Sequence, residues 1–259
     1  MKNILIAIPI KNRASILPIP LYSLFQQTHN DFDVIIYDQS DEPTTENYIV
    51  RQMIDLLQVH KGIKVTHIRD MKNRSLAQAR IYLLKYARQE SYKYMLMLDD
   101  DVAMQPDCLE KLYNEIKKSK DIIFCEGVAM DVNNALHHDD YDVETYTSTD
   151  DFNKWQVNHH YYDVKFEIDR TSTTGGFHYL IDMQKIDEAM FNNIIHQLKK
   201  LTGMPCEDIM LEYHLTSGKY KGQLITNALV YHFPNTAQPR DWYNVTRKIQ
   251  QRISEKGDI

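Results

Sequence analysis

An apolar run at residues 94–98 breaks abruptly into three consecutive carboxylates, Asp99, Asp100 and Asp101. Like charges packed side by side at a strand end repel, so the junction needs water, a cation or a cationic side chain to neutralise it. A bound divalent cation does this with the fewest groups. A solvated turn that happens to begin with Asp is the plainer reading, and the order of signals around the triplet decides between them.

Other polar residues sit where chemistry could gather. Asp38 follows the apolar segment 32–37, and a basic stretch at 69–74 follows a third such segment. Glu207 and Asp208 open a helical stretch containing Ile209, Leu211 and Leu215, so the helix dipole favours the ionised form of Asp208. An N-cap is the alternative role for that residue. Residues 131–162 lose regular pattern and carry His137, His138, Asp139, Asp140, Asp150, Asp151, His159 and His160. Adjacent pairs without helical spacing point to a solvated loop over a cleft rather than a second metal site.

The elements that must position these groups alternate. Strand-like segments at 4–8, 32–37, 63–67, 94–98 and 122–125 are separated by stretches of helical periodicity, the rhythm of a mostly parallel α/β sheet. Residues 75–89 place Leu76, Ala79, Leu83, Leu84 and Ala87 on one stripe. Pro106 and Asp107 open another helix with Leu109, Leu112, Tyr113 and Ile116 at core spacing. Order returns at 164–168, and a turn at 173–176 leads into a strand at 177–181. In such sheets ligands collect at the carboxyl ends of the strands, so Asp38, the 69–74 segment and the Asp triplet should face one cleft.

The 259 residues, 43% hydrophobic, suit one large α/β domain with a short tail, and eight Gly and eight Pro leave no flexible linker. A formal charge of −6 argues against a surface built to neutralise nucleic-acid phosphates. Cys108, Cys125 and Cys206 lack the paired spacing of zinc or redox motifs and read as reduced thiols. The apolar runs at 4–10 and 94–98 are too short to cross a bilayer. No signal peptide or membrane span is expected, and a cytoplasmic location follows.

Segments of the chain fall in a telling order. They are Ile8-Pro9-Ile10-Lys11-Asn12-Arg13, then Ile35-Ile36-Tyr37-Asp38, then the 73–80 segment Asn73-Arg74-Ser75-Leu76-Ala77-Gln78-Ala79-Arg80. Leu98-Asp99-Asp100-Asp101-Val102 with Pro106-Asp107, then Gly203-Met204-Pro205-Cys206-Glu207-Asp208 and Val230-Tyr231-His232, complete the series. In this order the chain resembles the inverting nucleotide-sugar glycosyltransferases of GT-A fold, of family two type, from residue 4 to about 232.

The resemblance implies a Rossmann-like, mostly parallel sheet flanked by helices, with a GT-A domain at 1–235. That domain would divide into a nucleotide-binding half, 1–130, and an acceptor-binding half, 131–235, followed by a C-terminal amphipathic helix at 236–259. It implies a metal-dependent enzyme that moves a sugar from a nucleotide-diphosphate sugar, UDP-sugar first among them, to an acceptor hydroxyl by single displacement. Through the DXD region, Asp101 would bind Mn²⁺ or Mg²⁺ with His232 as a nitrogen ligand, while Asp99 and Asp100 lie nearer the nucleotide. Pro9, Lys11, Asn12 and Arg13 would bind the nucleotide, Pro9 and Asn12 shaping the loop under the base and Lys11 standing where an aromatic residue often stacks. Asp38 would accept from the base imide, or else cap a turn. Asn73, Arg74 and Arg80 belong to the diphosphate side, and Asp208 is the implied base. Gly175, Gly176 and Glu207 would meet the sugar or acceptor.

The partners implied are a nucleotide-sugar donor and a glycan, lipid-linked or other hydroxyl acceptor, with no nucleic acid. In the C-terminal stretch, Trp242, Val245, Ile249 and Ile253 oppose Arg240, Arg247, Lys248 and Arg252. Docking or a homodimer contact is the first reading; peripheral contact with the inner face of a membrane is the second. Two other functions stay open: a non-catalytic nucleotide-sugar-binding protein and a sugar nucleotidyltransferase. The second is disfavoured because residues 8–13 contain no Gly to cradle a triphosphate.

Overall fold

The computed structural model describes residues 2–72, 75–131, 165–168, 178–201 and 207–233. Nine strands form one sheet among them: β1 Ile4–Ile10, β2 Phe32–Asp38, β3 Val65–Arg69, β4 Tyr94–Leu98, β5 Val102–Met104, β6 Ile122–Asp131, β7 Lys165–Ile168, β8 His178–Asp182 and β9 Lys221–His232. Six helices flank them: α1 Pro18–Phe25, α2 Tyr48–Asp55, α3 Leu76–Gln89, α4 Cys108–Lys118, α5 Glu188–Lys200 and α6 Glu207–Leu215.

The sheet order is β3-β2-β1-β4-β8-β6-β9-β5, with β7 paired to β9 off that path. Strands β3, β2, β1 and β4 are mutually parallel, whereas β8 lies antiparallel between β4 and β6. β6 and β9 run parallel to each other, and β5 and β7 pair antiparallel with β9. The expected mostly parallel α/β sheet is therefore present, interrupted by three strands whose direction no local pattern announces.

Continuous apolar sequence makes β1 and β4 buried at every position because helices cover both faces. On one face Leu5, Ala7, Met95, Met97 and Ile181 pack with Leu83 and Leu84 of α3, Leu198 of α5 and Leu211 of α6. On the other, Ile4, Ile6, Ile8, Leu96 and Leu98 pack with Leu21 of α1, Val50 of α2 and Leu112 of α4. The alternation of odd and even positions between the two clusters follows from the two-residue period of a strand.

Helix α3 begins where the sequence predicts. Ser75 is its N-cap, its Oγ accepting from Gln78 N at 3.2 Å while Ser75 N donates to Gln78 Oε1 at 3.3 Å, a complete capping box. The third strand starts two residues later than the apolar pattern suggests, because Ile63 is drawn down by its N–H to Leu57 O, 3.0 Å away. Cys108 and Cys125 are buried free thiols. The expected loop at 131–162, the Gly175-Gly176 turn and the helix at 236–259 lie outside the described residues, apart from the strand end at 131. No described helix is long and apolar enough to cross a membrane.

Candidate active site

The chain leaves β1 for β2 and β3 on one side, then returns to place β4 on the other side of β1. The tips of β1 and β4 therefore flank the point where strand order reverses, the place where open α/β sheets hold ligands. Residues 11–13 leave one tip and the Asp triplet leaves the other. Pro9, buried, closes β1 opposite Tyr37. Lys11 is exposed at the rim.

Asn12 adopts a left-handed φ of 56°, a conformation its short amide tolerates. Its N–H donates to Ser40 Oγ at 2.7 Å and its Nδ2 to Asp41 Oδ2 at 2.9 Å, while Asp41 N donates to Asn12 Oδ1 at 2.8 Å. This clasp joins the loop after β1 to the loop after β2. It also turns the next residue, Arg13, toward β4.

The Arg13 fork divides between two carboxylates: Nη1 donates to Asp100 Oδ1 and Nη2 to Asp101 Oδ2, both at 2.7 Å. Both aspartates are buried. Burial raises the Asp100 carboxyl and Asp101 adds repulsion, so that even with Arg13 beside it the group is pushed up to about 7. Burial works the same way on Asp101, but hydrogen bonding and charge from His232 and Arg13 outweigh it and hold that carboxyl below its ordinary value. Asp99 is raised well above the usual range by desolvation, against the pull of Arg80.

His232 arrives through the register of the sheet. Val102 of β5 pairs with His232 of β9, and Phe233 N donates to Asp101 O at 2.9 Å. His232 Nε2 consequently faces Asp101 Oδ2 at 3.7 Å. Two residues 131 positions apart in number share one corner because a three-residue strand pairs at the end of a twelve-residue one.

Arg80, expected on the diphosphate side, meets protein groups in this structure. Its guanidinium is buried and locked, with Nε donating to Glu207 Oε1 at 3.2 Å, Nη1 to Tyr179 Oη at 2.8 Å, and Nη2 lying 3.6 Å from Asp99 Oδ1. Almost fully desolvated, it faces acceptor oxygens at Nε and at both terminal nitrogens. Burial raises the Glu207 carboxyl more than Arg80 lowers it. Asp208, half-buried in the first turn of α6, is close enough to act electrostatically on both Arg80 and Tyr179. The donor-side and acceptor-side acids are thus joined through one cation.

The family model described as Glycosyl transferase family 2 matches residues 5–179. The chain belongs to glycosyl transferase family 2. An uncharacterized glycosyltransferase of Haemophilus influenzae is 33% identical over 119 residues, 46% of this chain and 36% of that protein. Among solved structures, GalNAc-T7 with UDP, GalNAc and Mn²⁺ aligns with a TM-score of 0.64 at 13% identity, covering 98% of this chain and 48% of that one. The mannosyltransferase PcManGT of Pyrobaculum calidifontis, in complex with GDP-Man and Mn²⁺, aligns with a TM-score of 0.59 at 13% identity over 98% of this chain and 62% of that one. The chain therefore spans between about a third and two thirds of these relatives, and the structural likeness is one of GT-A fold.

Within this family 2 domain, Asp38 is engaged otherwise than in the expected base contact. It is completely buried: Oδ1 accepts from Ser40 N at 2.9 Å, and Oδ2 accepts from Thr44 N at 2.7 Å and Thr44 Oγ1 at 2.9 Å and meets His67 Nε2 at 3.0 Å. Ser40 and Thr44 belong to the segment after β2 and His67 to β3, so the carboxylate caps that turn and ties it to the neighbouring strand. Asn73, Gly175 and Gly176 lie outside the described residues.

Among the described residues no group of three or more His, Cys, Asp or Glu side chains converges into a closed metal cage. Asp101 and His232 form an open pair instead, one hard oxygen donor and one imidazole. Such a pair fits Mg²⁺ or Mn²⁺, which complete their shells with phosphate oxygens and water. Arg13, expected among the nucleotide-binding residues, instead holds Asp100 and Asp101 in this structure. Tyr179 carries no signal in the sequence beyond its place in an apolar strand.

Proposed function

We propose that this chain is a divalent-cation-dependent, inverting glycosyltransferase acting on a nucleoside diphosphate sugar. The acceptor hydroxyl oxygen attacks the anomeric carbon, the bond from that carbon to the diphosphate oxygen breaks, and the hydroxyl proton passes to Asp208. The observation that supports this reading is the Arg80 bridge, which links Asp99 at the tip of β4 to Glu207, the residue before Asp208.

Asp101 and His232 are the residues that would hold the cation. When bound, Mn²⁺ or Mg²⁺ would neutralise the charge that develops on the departing diphosphate. Pro9, Asn12 and the clasped loop would form the floor under the nucleotide, with the stem of Lys11 at its edge. Glu207, buried against Arg80, would set the position of the first turn of α6 and so of Asp208. Solved relatives carry UDP in one case and GDP-Man in another, and both belong among the donors to be tried.

The test is slow donor cleavage by water. The chain is incubated with a panel of UDP- and GDP-sugars with and without Mn²⁺, and release of nucleoside diphosphate is followed. Cation-dependent release supports a transferase; exchange of pyrophosphate into a nucleoside triphosphate would make it a nucleotidyltransferase; tight binding with neither would make it a binding protein.

A further inference from the structure

We infer that Arg13 is an internal counter-cation that occupies the Asp100–Asp101 pair until the divalent cation arrives, so that loading the cleft requires its guanidinium to leave. This rests on the transferase reading and concerns how the same site is filled.

One oxygen atom is contested. Asp101 Oδ2 accepts the Arg13 Nη2 hydrogen bond at 2.7 Å and is also the oxygen that faces His232 Nε2 at 3.7 Å. A cation seated between Asp101 and His232 would take its oxygen from the atom Arg13 already holds. Two positive groups drawn to one carboxylate oxygen repel each other and divide its charge. Guanidinium and metal therefore compete.

Asp100 and Asp101 are adjacent and both buried, so a positive partner is needed to offset their repulsion while both are charged. An arginine fork suits the task because its two terminal nitrogens reach two carboxylates at once, each through a short charge-assisted bond.

Arg13 is also able to go. Its side chain is 26% exposed, and its described side-chain bonds run only to Asp100 and Asp101. Its backbone is held independently, because Arg13 O accepts from Ile16 N at 3.0 Å and the Asn12 clasp fixes the residue before it. The side chain can swing while the loop stays. Arg80 offers the contrast: 2% exposed, with three partners, it stays in place. Once released, the Arg13 fork remains at the mouth of the cleft, where phosphate oxygens of an arriving donor are its natural acceptors. The Asp101 carboxylate would then be free to hold the cation, and the guanidinium free to meet the diphosphate.

The experiment measures Mn²⁺ binding to the full chain by electron paramagnetic resonance, with no nucleotide and then with UDP, for the unaltered protein, Arg13→Gln and Arg13→Lys. Without nucleotide, Arg13→Gln is expected to bind Mn²⁺ about tenfold or more tightly than the unaltered chain. Arg13→Lys, which keeps the charge and loses the fork, should fall between them and carries the comparison if the Gln variant does not fold. Equal or weaker Mn²⁺ binding by the variants overturns the competition while leaving the transferase reading intact, provided UDP still brings Mn²⁺ to the unaltered chain. If no form binds Mn²⁺ even with UDP, the metal-dependent reading fails and this inference with it.

Discussion

Arg80 Nε lies 3.2 Å from Glu207 Oε1 across 127 residues of chain, and both side chains are buried. The pair fastens α3, which leaves the nucleotide side of the sheet, to the first turn of α6, which carries Asp208. Removing one partner leaves the other charged and desolvated. Arg80→Met is therefore expected to destabilise the fold by about 3–5 kcal/mol, read from urea unfolding. Pairing it with Glu207→Leu should recover a large part of that loss, whereas a surface ion pair would show almost none.

Asp208→Asn separates the base from the cap. The amide keeps the shape and can still accept a hydrogen bond, so the variant should fold and bind nucleotide as the unaltered chain does. Transfer should drop by about 10²-fold or more, because the acceptor proton loses its destination. Turnover near normal in a folded variant would take Asp208 out of the chemistry.

Asp38 governs stability against acid. Burial raises its carboxyl, yet the hydrogen bonds from His67, Ser40 and Thr44 outweigh that and hold it below the ordinary carboxylate range. A folded-state value below the unfolded one means the contribution is complete above about pH 4 and fades as pH falls through the folded value. Asp38→Asn should thus cost about 1.5–3 kcal/mol at pH 7 and progressively less below pH 4, measured by denaturant unfolding. Its affinity for UDP should change little, since the carboxylate is sealed within the turn.

Much of the frame can be read from the chain itself. Continuous apolar runs announce β1, β2 and β4, and helical period with a Ser-x-x-Gln start announces α3, because these signals are local. The end of β9 and the acidic opening of α6 are legible for the same reason. The direction of β8 and the insertion of β5 beside β9 are not, since they depend on which distant edge a strand meets. The site divides along the same line. That Asp101 would share a corner with His232 follows from motif order, but the fate of each arginine does not. Arg80 meets partners at positions 179 and 207, and only the packed fold brings these to it. Asp38 illustrates a nearer case: a turn cap was one of its two expected roles, and its partners Ser40 and Thr44 stand within six residues of it.

His232→Ala tests the cation corner without disturbing the core, since the residue sits at a strand end and is only half-buried. The concentration of Mn²⁺ needed for half-maximal donor cleavage should rise about tenfold or more, as for loss of a supporting metal ligand, while unfolding in the presence of a chelator changes little. An unchanged cation requirement would leave Asp101 as the corner's only protein donor.

If the proposed function holds, a cation-held nucleotide and the carboxylate of Asp208 meet in one cleft. Anomalous diffraction from crystals of the chain grown with Mn²⁺ and UDP tests this most directly. The expected result is a manganese peak at Asp101 and His232, Arg13 turned away from that carboxylate, and the diphosphate lying between the β1 and β4 tips with Asp208 across the cleft. Manganese bound elsewhere, or a nucleotide seated away from the first turn of α6, would contradict it.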